Sequence, residues 1–106
     1  MINVLQDIPY VEDGMGRRQL VDAPHLLVMQ VALRPGQSVP PHPANSNVHL
    51  LVLDGAVDVT LDEAVQRISR GDLLPVAFQT PMSIHNPGPG SATFLVLKAP
   101  HPSAMG

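Results

Sequence analysis

Three of the five histidines, His42, His49 and His85, are the side chains in this sequence with the most chemistry to offer. A neutral imidazole is a common metal ligand, and three together suffice for a catalytic zinc or a non-haem metal centre. His42 stands between Pro41 and Pro43, so its backbone is restrained on both sides. Alone, it can orient an anion or a hydroxyl, act as acid or base, or serve as a satisfied structural residue. Asn45, Ser46 and Asn47 follow it; they are potential hydrogen-bonding groups and also ordinary turn formers. No cysteine is present, which removes thiolate nucleophiles, disulfides and Cys-ligated metals. Ser38, Ser46, Ser69, Ser83 and Ser91 have no neighbouring His/Asp pattern of a nucleophilic triad. The acidic pairs Glu12-Asp13 and Asp62-Glu63 belong to turn clusters and read as solvated.

These groups must be positioned by short strands. Twelve prolines and eight glycines break the apolar runs at brief intervals, and no stretch keeps a 3.6-residue period. Strands are expected at His25–Arg34, Val48–Leu53, Ala56–Leu61, Ala64–Ser69, Leu73–Phe78, Met82–Asn86 and Ser91–Ala99. Shorter strands are expected at Val4–Ile8 and Arg17–Asp22. Pro35-Gly36, Asp54-Gly55, Asp62-Glu63, Arg70-Gly71 and Pro87-Gly88-Pro89-Gly90 supply the turns, with Asp54-Gly55 expected to close a tight hairpin. Gln30, Ala32 and Arg34 alternate with the apolar Val31 and Leu33, which predicts one buried face for their strand. Pro75 predicts an edge strand or a bulge. Met29, Met82 and Phe78 are expected to fill the core. The fold class is all-β, one antiparallel sandwich or barrel. Residues 1–24 form an N-terminal arm with edge strands, 25–99 the barrel and 100–106 a frayed tail.

Composition limits the function. Hydrophobic residues make up 44% of the 106 and charged residues 14%, which describes a globular chain. A net charge of −3, with six scattered Lys and Arg and only three aromatic residues, leaves no footprint for nucleic acid. No apolar run nears the roughly 20 residues of a membrane span, and the first residues lack the pattern of a signal peptide. The expectation is a soluble, cytoplasmic chain.

Gly36, His42 and Gly55, framing one strand, are similar to the first conserved motif of the cupins; Gly71-Asp72, Pro81 and Asn86 are similar to the second. The resemblance covers about Val31 to Lys98 and implies a double-stranded β-helix, the jelly-roll barrel of that family. Metal-binding cupins generally take two histidines and a carboxylate from the first motif and one histidine from the second. Carried over by position, these fall on His42, Ala44, Val48 and Met82. A methyl and an isopropyl group coordinate nothing, and a thioether suits soft copper(I) rather than iron, manganese or zinc. The resemblance therefore implies a cupin without its usual metal.

Strand parity bears on a replacement site made from His42, His49 and His85. If Val48 faces the pocket, His49 faces away; if Met82 and Ile84 face in, Ser83 and His85 face out. Only a β-bulge would reverse this. The inward set His42, Ala44, Val48, Leu50, Val52, Met82 and Ile84 describes an apolar barrel with one polar group near its mouth. The first expectation is a metal-free protein that binds a small molecule there, with His42 as the polar contact. A second is a metal-dependent oxygenase or isomerase, holding a divalent transition metal through His42, His49, His85 and Asn47. A third is a homodimer or interaction module that buries the outward stripe of His49, Leu51 and Leu53.

Overall fold

The computed structural model describes residues 1–106. Nine strands are present: β1 (Gly16–Ala23), β2 (Leu26–Leu33), β3 (Ser38–Pro43), β4 (Val48–Asp54), β5 (Ala56–Leu61), β6 (Ala64–Ser69), β7 (Leu73–Val76), β8 (Pro81–His85) and β9 (Ala92–Lys98). They form two sheets, β1-β2-β9-β4-β7 and β3-β8-β5-β6. Every strand pairing is antiparallel. The chain crosses between the sheets at most turns, which makes an all-β double-stranded β-helix. No helix is long and apolar enough to cross a membrane.

Alternation along the strands builds the core. Val31, Leu33, Leu50, Val52 and Phe94 of the larger sheet meet Val57, Val59, Ile68 and Ile84 of the smaller one. Every buried side-chain nitrogen and oxygen has a hydrogen-bond partner, which avoids the cost of about 1–3 kcal/mol for each one left unpaired.

Several expectations are corrected. The proline-rich stretch Ser38–Pro43, not among the expected strands, is one. It can be one because it lies at the edge of its sheet, where a missing N–H faces no neighbour. Pro75, as expected, lies on an edge strand, β7 of the other sheet. Asp54-Gly55 joins β4 to β5, but these strands belong to different sheets. The pair is a crossover between layers and not a hairpin. Asp62-Glu63 does close a two-residue hairpin, with Leu61 opposite Ala64.

At the N-terminus, Val4 to Ile8 contains turns and bends and no strand. This arm lies over Arg18 and Gln30 on the outer face of β1 and β2, so Gln30, expected on an exposed face, is fully buried. Its Nε2 donates to Val4 O (2.7 Å) and Thr93 Oγ1 (3.0 Å), and its Oε1 accepts from Arg18 Nε (2.9 Å). Arg18 in turn donates to the Asp7 and Gln6 carbonyls. The tail is likewise fastened rather than frayed. Pro102–Ala104 makes a 3₁₀ turn, His101 Nε2 lies 2.9 Å from Asp22 Oδ1, and Ser46 Oγ donates to Pro100 O at 2.6 Å. Phe78, expected in the core, is 36% exposed.

Candidate functional site

Residues of both sheets line a cleft of about 270 Å³, just below the roughly 300–1,000 Å³ usual for small-molecule sites. From the smaller sheet and the turn after it come Val39, His42, Ala44, Asn45, Met82 and Ile84. The larger sheet adds Met29 and Val31 from β2, Val48 from β4, and Phe94, Val96 and Lys98 from β9. Met15 and Arg17 close one side.

His42 enters the cleft through a bulge. Val39 pairs with Ile84 and His42 with Met82, so three steps on β3 match two on β8. One extra residue lets both Val39 and His42 face inward, although an odd spacing would otherwise send them to opposite faces. The His42 Nδ1 lies 2.9 Å from the Pro40 carbonyl. A carbonyl only accepts, so this ring nitrogen carries a proton and Nε2 is the one left for a ligand.

Of the residues expected to form the pocket, His42, Ala44, Val48, Met82 and Ile84 line the cleft. Leu50 does not; together with Val52 it is buried in the core beneath. Sequence reasoning missed Arg17, Lys98 and the β2 and β9 walls. A period-two reading of β9 from the apolar Phe94 through Val96 would have reached Lys98.

The three histidines are not brought together. His49 is exposed beside Asn47, Pro75 and Val76, lining a separate shallow depression. His85 lies on the outer face of the smaller sheet, where its Nδ1 is 2.6 Å from Ser38 Oγ. No group of three His, Cys, Asp or Glu residues is arranged to hold a metal ion. The replacement set of His42, His49 and His85 is thus overturned by strand parity, because neither β4 nor β8 bulges at those positions. The family's usual metal does not fit the aligned positions either. Of His42, Ala44, Val48 and Met82, only His42 carries a good nitrogen donor.

Ser38, His85 and Asp58 do fall in one row across β3, β8 and β5. This row is not a nucleophilic triad. Asp58 is held by Arg67, with Nε to Oδ1 at 2.9 Å, and that hydrogen bond lowers the pKa of its carboxyl group. None of the three residues lines a cleft. Their arrangement is that of cross-strand polar pairs on a solvated sheet face.

Comparison with known proteins agrees with this architecture. A family model described as the cupin domain matches residues 29–98. An uncharacterized protein of Methanocaldococcus jannaschii is 33% identical over 88 residues, which is 82% of this chain and 76% of that protein. The crystal structure of an RmlC-like cupin family protein with a double-stranded β-helix fold, from the same organism, superposes with a TM-score of 0.84. It is 30% identical, with 94% of this chain and 89% of that one covered. An uncharacterized conserved protein with a double-stranded β-helix domain from Klebsiella pneumoniae shares the fold at 18% identity, with a TM-score of 0.86 and coverage of 94% and 89%. This chain belongs to the cupin family.

Proposed function

We propose that this cupin-family protein binds a small molecule in the cleft between its sheets, without the metal that the family generally uses. The observation that carries this reading is the composition of the cleft at the family's ligand positions: one imidazole, His42, among the apolar side chains of Ala44, Val48 and Met82. Apolar walls supply affinity by giving up water, at about 25 cal/mol per Å² of apolar surface buried. His42 Nε2 supplies orientation.

Two measurements test this. Elemental analysis of protein prepared without a histidine tag or chelating resin, then exposed to zinc, iron, manganese, copper and nickel, is expected to find well under one metal per chain. One tightly held metal per chain, lost in His42→Ala, would overturn the reading. In a ligand-observed NMR fragment screen, hits are expected to compete for one site and to vanish in Ala44→Leu, which fills the cleft. Hits unaffected by that substitution would place binding elsewhere.

A second reading concerns assembly. Leu73, Leu51 and Leu95 form one row on the outer face of the larger sheet, and Leu97 lies in the next row beside His49. Leu73 is 58% exposed. A second copy of the chain would cover this face. Light scattering of Leu51→Glu/Leu73→Glu is then expected to give half the wild-type mass; equal masses would reject the dimer.

A further inference from the structure

We propose that the ligand of this cleft is a small organic anion with an apolar body, whose carboxylate pairs with the ammonium group of Lys98. This rests on the small-molecule reading above and narrows it to a ligand class.

Lys98 is an unusual residue for its position. Strand β9 is central in its sheet, and Lys98 has Leu27 on one side and Val48 on the other. It follows Phe94 and Val96 on the inward face and lines the cleft with them. Neither Lys98 nor Arg17 forms an ion pair; Arg67 pairs with Asp58, and the other close contact with a carboxylate is that of His101 Nε2 with Asp22. The chain has nine Asp and Glu against six Lys and Arg. Even so, the cleft is lined by Arg17, His42 and Lys98 and by no carboxylate. A net-acidic protein thus keeps a basic, apolar cleft with an unpaired ammonium in its wall. Burial lowers the pKa of Lys98, and no neighbouring acid offsets that desolvation.

The surroundings of Lys98 suit a bound head group. The turn that carries Asn45 is fixed beside the end of β9, since Ala99 N–H donates to Asn47 O at 3.1 Å and Ser46 holds Pro100. Asn45 lines the same cleft and offers a neutral donor there. Away from Lys98, the body of the ligand would run along Val96, Met29, Phe94 and Met82. Arg17 lies opposite Val31, which pairs with Phe94. Phe94 and Lys98 lie four residue steps apart along β9, a rise of roughly 13 Å at about 3.3 Å per residue. Arg17 thus lies toward the other end of the cleft and contributes to the field that attracts an anion.

The test uses three probes with one chain and different head groups: hexanoate, hexanamide and hexylamine, each titrated into the full-length ¹⁵N-labelled protein. Hexanoate is expected to shift the amide signals of Val48, Val96 and Lys98 saturably. Hexanamide should bind at least tenfold more weakly and hexylamine not measurably. Lys98→Met, checked for a dispersed native spectrum, should erase the preference for hexanoate over hexanamide, and Lys98→Arg should retain it. Arg17→Gln should weaken hexanoate by no more than about threefold. Equal binding of hexanoate and hexanamide, or a preference that survives Lys98→Met, would overturn the anion assignment and leave the small-molecule cleft standing. Absence of saturable shifts with all three probes, together with no cleft-directed fragment hits, would remove the cleft reading itself.

Discussion

Asn86→Ala is expected to lower the unfolding free energy by about 3–5 kcal/mol, a large part of the 5–15 kcal/mol typical of a small domain. Asn86 is 1% exposed and has no contact with the cleft. Its Nδ2 donates to Leu33 O at 2.9 Å and Gly90 O at 3.0 Å, and its Oδ1 accepts from Gly88 N at 2.9 Å. Its backbone N–H and carbonyl pair with Gln37 O and Gly36 N. The side chain therefore joins the end of β2 to the Pro87–Gly90 loop, while the backbone of the same residue holds the Pro35-Gly36 turn. Alanine leaves two acceptors and one donor without partners, and burial keeps water from replacing them fully. Urea denaturation measures the loss directly, and a decrease below about 1 kcal/mol would show that the loops re-form their bonds with water.

Asn86→Asp separates hydrogen bonding from shape. A carboxylate still accepts from Gly88 N–H, but it turns a lone pair toward the Leu33 and Gly90 carbonyls. Its folded-state pKa should then rise above the unfolded value. A raised carboxyl pKa means that the folded state binds the proton more tightly, so relative to wild type this variant gains stability as pH falls from 7 toward 4. Denaturation of both proteins at the two pH values checks the sign.

Gly55→Ala is the second large effect, expected to cost more than about 3 kcal/mol. Gly55 has a φ of +77°, where an L side chain already costs about 1–2 kcal/mol. A Cβ there would also collide with the carbonyl oxygen of Ser91 and stand 2.9 Å from Cα of Ala92. Both obstacles belong to the backbone entering β9, the central strand, which cannot shift without disturbing its pairing with β2 and β4. Gly36 provides the control. Its φ is +86°, but nothing lies within 4 Å of the site of an added Cβ. Gly36→Ala should therefore cost only about 1–2 kcal/mol. Thermal melts of the two variants are expected to differ clearly, and similar midpoints would mean that the approach of Gly55 to β9 is not rigid.

These residues also show why the family frame was readable. Gly36, Gly55 and Asn86 are required by local backbone geometry and by loop hydrogen bonds, and such needs favour particular residue types at particular positions. The same frame is silent about what the cleft binds. That depends on side chains from strands far apart in sequence, such as Arg17, His42 and Lys98.

The sequence by itself determined the all-β class, the position of most strands and turns, and the outward direction of His49 and His85. Each follows from local causes: proline and glycine punctuation, and the two-residue alternation of a strand. Only the tertiary structure decided the rest. It made a strand of Ser38–Pro43 because an edge tolerates proline, and it sent Asp54-Gly55 across layers because β4 and β5 pair with other partners. It buried Gln30 because the N-terminal arm lies over it, and it brought Lys98 into an apolar cleft because β9 became the centre of its sheet. In each case the deciding neighbour is distant along the chain; alternation along β9 gives the inward direction of Lys98, but not the walls that surround it.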